Sequence, residues 1–377
     1  MDPAYLREVE ILRIVARPRI LHLIARMNMG GTATYIANLL EGMNDGPFEN
    51  LLALGRVPEG EIEDPVVEDL PTRRIPELSR EISFFDFEAR KKFAEIVLEF
   101  KPDVIHSHTF KAGLIARSIP SHGPRVHTFH GHHLYDPEFG RFKVGVMNLI
   151  ERSLVKRTDR FIAVGKRVRD ELIEVGIGST AMYQTIAPGI KEIRLSDRAQ
   201  VLSRLGLSSE RPVIVWLGRF TEVKRPDRVV EVAGKLPQFQ FVMAGGGELE
   251  DSTKAAGLSN LHCVGWQKKE DMWTIADVGL CTSDSEGMPL ALIEAQMAGV
   301  PVVSTNVGSV SEIVADEVTG RLVPRSGDGL AEAIADVVAK SESNDEMKVS
   351  SRERAKRLFS VESMVKAHED LYRELLG

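Results

Sequence analysis

A chain of 377 residues exceeds the size at which one hydrophobic core keeps growing, so we expect two domains. Hydrophobic residues make up 43% of the chain and charged residues 27%, which excludes a disordered chain and indicates a soluble globular protein. The net charge of −7 argues against a nucleic-acid partner, and the two cysteines, Cys263 and Cys281, are too few for a disulfide framework.

The first residues, MDPAYLREVEILRIVARPR, interrupt each short apolar run with charged side chains. A secretory signal peptide needs a continuous apolar stretch, and a membrane-spanning helix needs about 20 apolar residues in a row. The sequence has neither, so we expect a cytoplasmic protein.

The first half of the chain alternates short apolar runs with helical periodicity. The run RILHLIA (19–25) precedes a glycine-containing turn and TATYIANLLEGM, whose apolar residues recur at helical spacing. The same order returns at KPDVIHSHTF (101–110), PRVHTFHGHH (124–133) and DRFIAVGKRVRDELIEVG (159–176). Strands that alternate with helices predict a parallel, doubly wound sheet.

Pro188 and Gly189 interrupt this pattern, which begins again at the buried strand RPVIVWLGRF (211–220). The strands FQFVMAGGG, LHCVGW, VGLCTS and VPVVSTN follow, together with the helices PDRVVEVAGKL and LALIEAQMAG. The sequence therefore predicts an α/β protein of two Rossmann-like domains that face each other across a cleft, with the boundary near residue 190.

The stretch Glu286-Gly-Met-Pro-Leu-Ala-Leu-Ile-Glu294 places a polar loop before a helix that begins near Pro289. The first amides of a helix have no intrahelical acceptor, so they can bind a diphosphate. Glu286 lies in the loop and Glu294 lies further into the helix, so the two carboxylates can contact different parts of one ligand. The alternative is that Glu286 is a solvated loop acid and Glu294 an exposed helix residue.

Two cations, Arg219 and Lys224, lie in the loop that follows the buried strand of the second domain. A diphosphate that leaves from this position gains negative charge, so cations placed there would stabilise the transition state more than the ground state. The alternative is a pair of solvated loop cations.

Two pairs of glycines follow predicted strands. Gly30 and Gly31 precede a helix and could present backbone donors, and Gly245 and Gly246 could let the backbone approach a nucleotide. A tight turn explains the glycines at 245 and 246 equally well, and a plain strand-to-helix turn is a strong alternative for Gly30 and Gly31.

Seven of the ten histidines lie between residues 106 and 133, which indicates polar function in a cleft. His130 is the best candidate for a hydrogen bond to a sugar, because Gly131 beside it allows close approach. His106 and His127 alternate with apolar residues and are explained equally well by core packing. We expect no metal, because the HxH and HGHH sequences lack a carboxylate at a recognisable ligand spacing.

The segment 141–169 holds nine Lys and Arg residues against two acids. Apolar residues interspersed with these cations are typical of a helix that lies on an anionic membrane. A core helix with a solvated basic face explains the pattern as well, and is preferred.

Taken in order, these motifs resemble the retaining GT-B glycosyltransferases of the Glu-x7-Glu type (glycosyl transferases group 1, family 4). The resemblance covers nearly the whole chain, from Gly30-Gly31 through HSH (106–108), TFHGHH (128–133), GRFTEVKRP and AGGGE to EGMPLALIEA and the last helix. It departs from the family at Arg225, where glycine is common.

The resemblance implies transfer of a sugar, with retention, from a UDP- or GDP-sugar to a glycan, lipid-linked or small-molecule acceptor in polysaccharide or glycoconjugate biosynthesis. It implies no cofactor besides the nucleotide-sugar substrate. Residues 1–190 would bind the acceptor, residues 191–360 the donor, and the final helix (361–377) would cross back to complete the first domain.

Carried over residue by residue, the resemblance places Glu286 near the donor sugar and Glu294 on the ribose. Arg219 and Lys224 would clamp the diphosphate, and His130 would contact the sugar. The other positions implied for donor binding are Gly30, Gly31, Gly245, Gly246, Val264 (with Gly265, beside the base), Gly287, Met288, Pro289 and Leu290.

Two other functions fit a protein with two lobes. A nucleotide-sugar epimerase has a similar shape, but the order of the Gly-Arg and Glu-x7-Glu elements favours transfer. A non-catalytic sugar- or nucleotide-binding protein is disfavoured because the sequence shows no export signal.

Overall fold

A computed structural model describes residues 17–59, 61–79, 86–131, 140–343 and 345–377. Within these residues the chain forms two α/β units, each built on a parallel sheet with helices on its faces. The predicted α/β fold with two Rossmann-like domains is confirmed.

The first sheet is formed by β1 (Arg19–Ile24), β2 (Glu49–Leu54), β3 (Thr72–Arg74), β4 (Val104–His108), β5 (Arg125–Phe129), β6 (Arg160–Ala163) and β7 (Tyr183–Thr185). Its order is β3-β2-β1-β4-β5-β6-β7. Strands β1, β4 and β5 are buried along nearly their whole length. β1 (RILHLI) is mostly apolar, whereas β4 (VIHSH) and β5 (RVHTF) also bury polar side chains, which form hydrogen bonds to one another. The helices of this part are α1 (Gly31–Gly42), α2 (Asp86–Phe100), α3 (Phe110–Ser118), α4 (Arg141–Leu154) and α5 (Lys166–Glu174).

The second sheet is formed by β8 (Val213–Leu217), β9 (Gln240–Ala244), β10 (Leu261–Cys263), β11 (Val278–Cys281), β12 (Val302–Thr305) and β13 (Gly320–Val323). Its order is β10-β9-β8-β11-β12-β13. The helices of this part are α6 (Arg198–Leu205), α7 (Pro226–Lys235), α8 (Glu250–Lys254), α9 (Lys269–Ile275), α10 (Leu290–Met297), α11 (Val310–Ile313), α12 (Leu330–Ser343) and α13 (Glu346–Leu358). The last helix, α14 (Val361–Leu376), packs on the first part of the chain.

The carboxyl ends of the two sheets meet. The loop after β5 carries His130 and the loop after β11 carries Gly287, and a Cβ atom on Gly287 would lie 2.1 Å from the carbonyl oxygen of His130. Only glycine fits at this point, because any side chain would push the two backbones apart. The site therefore lies where both lobes contribute strand ends.

Two chain segments cross between the lobes side by side. The amide of Ile190 donates to the carbonyl of Phe359 at 2.8 Å, and a Cβ on Gly189 would lie 2.7 Å from Cα of Val361. After this crossing α14 packs against α1, and the Tyr35 hydroxyl lies 3.1 Å from Nε2 of His368. The predicted domain limits near residues 190 and 360 fall in these two segments.

Candidate functional site

Lys224 and Glu286 form an ion pair between two loops of the second lobe. Lys224 ends a short 3-10 helix (Glu222–Lys224) after β8, and its Nζ donates to Oε1 of Glu286 at 2.6 Å. The hydroxyl of Ser283 donates to the same oxygen at 2.6 Å. The carboxylate is thus fixed by a cation and a hydroxyl group.

The charge of this pair is set by its surroundings. Burial alone lowers the pKa of Lys224, but the carboxylate of Glu286 more than offsets this effect, so the pKa lies above its usual value. Burial raises the pKa of the neighbouring Cys281 thiol, which stays neutral 3.8 Å from Oε1 of Glu286. Arg219 is exposed and close enough to Lys224 to act on its charge, and it has no ion pair with any described residue. The pair is neutral overall, so Arg219 supplies the excess positive charge.

The loop before Glu286 is held by two arginines that bind one carboxylate. Asp284 is bound at 3.0 Å by Arg225 and at 2.8 Å by Arg228, and Arg228 also donates to the carbonyl of Thr282 at 2.7 Å. Arg225 has a φ of 54°, the left-handed conformation that glycine adopts at no cost. The departure from the family at this position therefore keeps the backbone conformation of glycine and adds an ion pair.

The helix predicted after the loop begins at Leu290, with Pro289 as its N-cap. The amides of Gly287, Met288 and Leu290 donate no hydrogen bond to any residue the structure describes. These amides lie at the positive end of the helix dipole and directly follow Glu286, so they can donate hydrogen bonds to an anionic group.

Glu294 is buried inside α10, so the interpretation of an exposed helix residue is wrong. Its Oε1 accepts from Nζ of Lys269 at 2.8 Å. Burial lowers the pKa of Lys269, but the charge of Glu294 more than offsets it, with a further contribution from Asp64 of the first lobe. Sequence reasoning missed Lys269, since no short-range spacing links it to Glu294.

The two loops predicted to lie beside the nucleotide base, one at Gly245 and one at Val264 and Gly265, contact each other. The amide of Gly245 donates to the carbonyl of Gly265 at 2.9 Å, and the amide of Val264 donates to that of Met243 at 3.0 Å. A Cβ on Gly245 would lie 1.8 Å from the carbonyl oxygen of Gly218. The close approach of these two backbone segments is therefore enough to require glycine at this position.

Trp266 is an aromatic residue of this region that the sequence analysis did not single out. Its side chain is 51% exposed, and a Cβ on Gly246 would lie 2.8 Å from its Nε1. An exposed indole beside a glycine loop provides a flat apolar surface on which a base can stack.

The glycines of the first lobe lie at the contact with the second. A Cβ on Gly31 would lie 3.4 Å from Cγ of Leu290, and one on Gly131 would lie 3.4 Å from Cα of Gly287. Gly30 caps α1 with a φ of 153°. These loops therefore form the wall opposite the start of α10.

His130 is held between two neighbours of the first lobe. Its Nε2 lies 3.2 Å from Nδ1 of His108, and its ring meets the edge of Tyr35 with the centroids 4.7 Å apart. Burial lowers the pKa of His130 to about 3, so the ring is neutral at neutral pH. The neighbouring His132 and His133 of the predicted motif lie outside the described residues.

Three buried histidines could hold a metal among the described residues. One ring nitrogen each of His22, His106 and His108 lies within 4.8 Å of the others. Both nitrogens of His106 are already within 2.6 Å of hydroxyl groups, those of Tyr372 and Thr128. Hydrogen bonds thus satisfy His106 without an ion. His127 is buried elsewhere and bonds to Ser107 at 2.9 Å, as core packing predicts.

Helix α4, inside the basic segment, has an apolar face toward solvent as well as one toward the core. Phe142 is 87% exposed and Leu149 is 68% exposed, whereas Met147 and Leu154 are buried. The preferred interpretation of a core helix with a solvated basic face agrees with these two buried side chains and with the exposed Lys143 and Arg152, but it does not account for the exposed apolar side chains. No helix in the described part of the chain is both long and apolar enough to cross a bilayer.

Two family models match this chain and together cover most of it. Residues 29–191 match the model described as Glycosyltransferase Family 4, and residues 197–356 match Glycosyl transferases group 1. Both lobes therefore carry family sequence, which confirms the resemblance seen in the motifs.

Curated relatives share under a third of their residues with this chain. A D-inositol 3-phosphate glycosyltransferase of Mycobacteroides abscessus is 28% identical over 244 residues, covering 59% of this chain and 55% of the relative. An alpha-maltose-1-phosphate synthase of Mycolicibacterium smegmatis is 28% identical over 313 residues, covering 72% and 79%. The match thus spans about half the length of the first of these relatives.

Solved structures share the fold over nearly the whole chain. A sucrose-phosphate synthase from Thermosynechococcus elongatus has a TM-score of 0.81 at 20% identity, covering 95% of this chain and 99% of the other. The Anabaena protein HepE, solved with UDP-glucose, has a TM-score of 0.79 at 18% identity, covering 95% and 100%. The arrangement of the two lobes is therefore that of GT-B proteins.

Proposed function

The chain belongs to the group 1, family 4 glycosyl transferases, which use nucleotide sugars, and we propose that it transfers a sugar from a UDP- or GDP-sugar to an acceptor hydroxyl with retention of configuration. The acceptor is a glycan, a lipid-linked sugar or a small molecule. The reaction needs no cofactor besides the donor.

One observation carries this proposal: a fixed cation lies beside amides that donate to no described residue, where the two lobes meet. Lys224 is held 2.6 Å from Glu286, and the amides of Gly287 and Met288 follow directly in the chain. Arg219 adds a positive charge. A diphosphate bound here meets donors in place before the bond breaks, so charge that develops on it is stabilised without reorganisation of the protein.

Retention is supported by the state of Glu286. Its Oε1 already accepts from Lys224 and Ser283, and a carboxylate bound in this way is a weak nucleophile. In the proposed step the acceptor oxygen bonds to C1 on the face from which the diphosphate leaves. The C1–phosphate oxygen bond breaks with its electron pair on the diphosphate, which takes the proton of the acceptor hydroxyl.

The names of the relatives guide the choice of substrates. HepE was solved with UDP-glucose, so UDP donors come first. The curated relatives are named for D-inositol 3-phosphate and for alpha-maltose 1-phosphate, so phosphorylated small molecules come first among acceptors.

The test is to incubate the protein with a panel of UDP- and GDP-sugars and acceptors and to measure release of nucleoside diphosphate. The anomeric configuration of the product is then read by NMR. We expect diphosphate release that depends on the acceptor, an unchanged anomeric configuration, and loss of turnover in Arg219→Gln but not in the exposed control Lys235→Gln. An inverted product would overturn retention. An epimerised donor without free diphosphate would support an epimerase, and thermal stabilisation by nucleotide without turnover would support a binding protein.

Contact of α4 with an anionic membrane is a second part of the proposal. Phe142, Val146 and Leu149 form an exposed apolar stripe, and the exposed cations Lys156 and Arg157 follow the helix. We expect the protein to sediment with vesicles containing phosphatidylglycerol and a Phe142→Ser/Leu149→Ser variant not to do so. Equal sedimentation of both, or none with the wild type, would refute membrane contact.

A further inference from the structure

A row of polar side chains crosses the first sheet and ends at His130. Asn50 lies on β2, and its side-chain Oδ1 is 3.3 Å from Nε2 of His22 on β1. Nδ1 of His22 lies 3.2 Å from Nε2 of His108 on β4, and Nδ1 of His108 lies 3.2 Å from Nε2 of His130. The row runs from the half-buried Asn50 to the contact between the lobes.

The direction of these hydrogen bonds is set at the Asn50 end. Its Nδ2 faces the carbonyl of Phe48 at 3.4 Å, and a carbonyl can only accept, so the amide oxygen faces His22. An amide oxygen also only accepts, and the proton of His22 must therefore be on Nε2.

The same argument continues along the row, because each imidazole is neutral and carries one proton. Burial lowers the pKa of His22 to about 3 and that of His108 well below its usual value. With its proton on Nε2, His22 can only accept at Nδ1, so His108 donates from Nε2. His108 then accepts at Nδ1, and His130 donates from Nε2.

The row therefore ends on an unprotonated nitrogen. Nδ1 of His130 keeps its lone pair, and no described residue donates to it. His130 is attached to the backbone that meets Gly287 at the cleft. A hydroxyl group brought to this ring finds a hydrogen-bond acceptor there for which no described residue competes.

We propose that Asn50, His22 and His108 are positioning residues that fix His130 as its Nε2–H tautomer, so that Nδ1 accepts a hydrogen bond from a hydroxyl group of the transferred sugar. The sugar in this statement rests on the proposed function, whereas the tautomer does not. A metal ion held by His22, His106 and His108 is the competing explanation of the same cluster. An ion would take the lone pairs that the hydrogen bonds use and break the row.

The tautomer is tested without any substrate. The full chain is labelled with ¹⁵N-histidine, the His130 signals are assigned by their loss in His130→Gln, and the protonated nitrogen is read from two-bond ¹H–¹⁵N correlations. We expect the Nε2–H form in the wild type and in Asn50→Asp, which keeps an acceptor oxygen, and a mixture of tautomers in Asn50→Leu. His127→Leu, which removes a buried histidine outside the row, should leave the His130 signals in place.

Kinetics then tests the consequence for the sugar. With the donor that gives the fastest diphosphate release, kcat/KM should fall about 3- to 10-fold in Asn50→Leu, as for the loss of one hydrogen bond, and recover in Asn50→Asp. A His130 proton on Nδ1, a tautomer unchanged in Asn50→Leu, or one equivalent of bound zinc by elemental analysis would each overturn the proposal. A correct tautomer in a protein with no turnover would instead count against the proposed function alone.

Discussion

Replacing Lys224 by Met removes a cation while keeping most of the volume of the side chain. Removing one partner of a buried pair costs about 3–5 kcal/mol, and an exposed pair contributes about 0.2–1 kcal/mol. The side chain of Lys224 is 25% exposed and that of Glu286 is 9% exposed, so we expect an intermediate loss of about 2 kcal/mol in the free energy of unfolding. Turnover should fall by about 10²- to 10³-fold, as when one preorganised group is removed from a developing negative charge.

The two effects can be separated by measurement. All three tryptophans (Trp216, Trp266 and Trp273) lie in the second lobe, so urea unfolding followed by fluorescence reports on the lobe that holds the pair. Diphosphate release gives kcat.

Adding Glu286→Gln to Lys224→Met should recover part of the stability, because no carboxylate is left unpaired, but none of the turnover. Lys235→Met, which breaks an exposed pair on α7, is the matched control. Wild-type kcat in Lys224→Met, or an equal loss in the control, would refute the assigned role.

Three further predictions follow from other contacts. Glu294→Gln should raise the dissociation constant for the nucleotide by about 10-fold or more in calorimetry with little change in kcat, because a charged hydrogen-bond acceptor is lost; unchanged affinity would contradict the ribose role. Gly287→Ala should abolish turnover, because the new Cβ would lie 2.1 Å from the carbonyl oxygen of His130. The control Gly234→Ala, with open space around its Cβ, should leave turnover intact and raise stability by up to about 1 kcal/mol. An active Gly287→Ala enzyme would show that the lobes need not meet there. Finally, burial lowers the pKa of His22 and of His130 to about 3 in the folded chain, against 6.5 for a free imidazole. Between these values the unfolded chain binds more protons than the folded chain, so each histidine costs about 1.4 kcal/mol of stability per unit as the pH falls. Equal urea midpoints at pH 7 and pH 5 would refute this assignment.

The parts of the site that lie on one stretch of sequence could be predicted. A polar loop, a proline and an apolar helix follow one another from Glu286 to Glu294, and the structure has the helix begin at Leu290. Lys224 follows a buried strand that ends at a glycine, so its position near the end of a strand could also be predicted. Glycine and proline breaks and hydrophobic periodicity determine these features, and both are visible in a short stretch of neighbouring residues.

The pairings between distant segments could not be predicted in the same way. Lys269 and Glu294 lie on different helices, and nothing near either residue identifies the other. His22 interrupts the apolar run of β1, and it gains its partners only because β1 pairs with β2 on one side and β4 on the other. Periodicity predicts a strand but not its neighbours in the sheet. The sequence analysis also did not single out β2 or the edge strand β3.

The double crossing near Ile190 and Phe359 decides how this chain can be divided. A fragment that ends at the first crossing lacks α14, whose Tyr372 and His368 are buried against the first sheet. Such a fragment would expose the apolar face that this helix covers. A soluble version of the first lobe therefore requires α14 to be fused back, for example after a short flexible linker at Gly189, and the second lobe is obtained on its own only by cutting at both crossings.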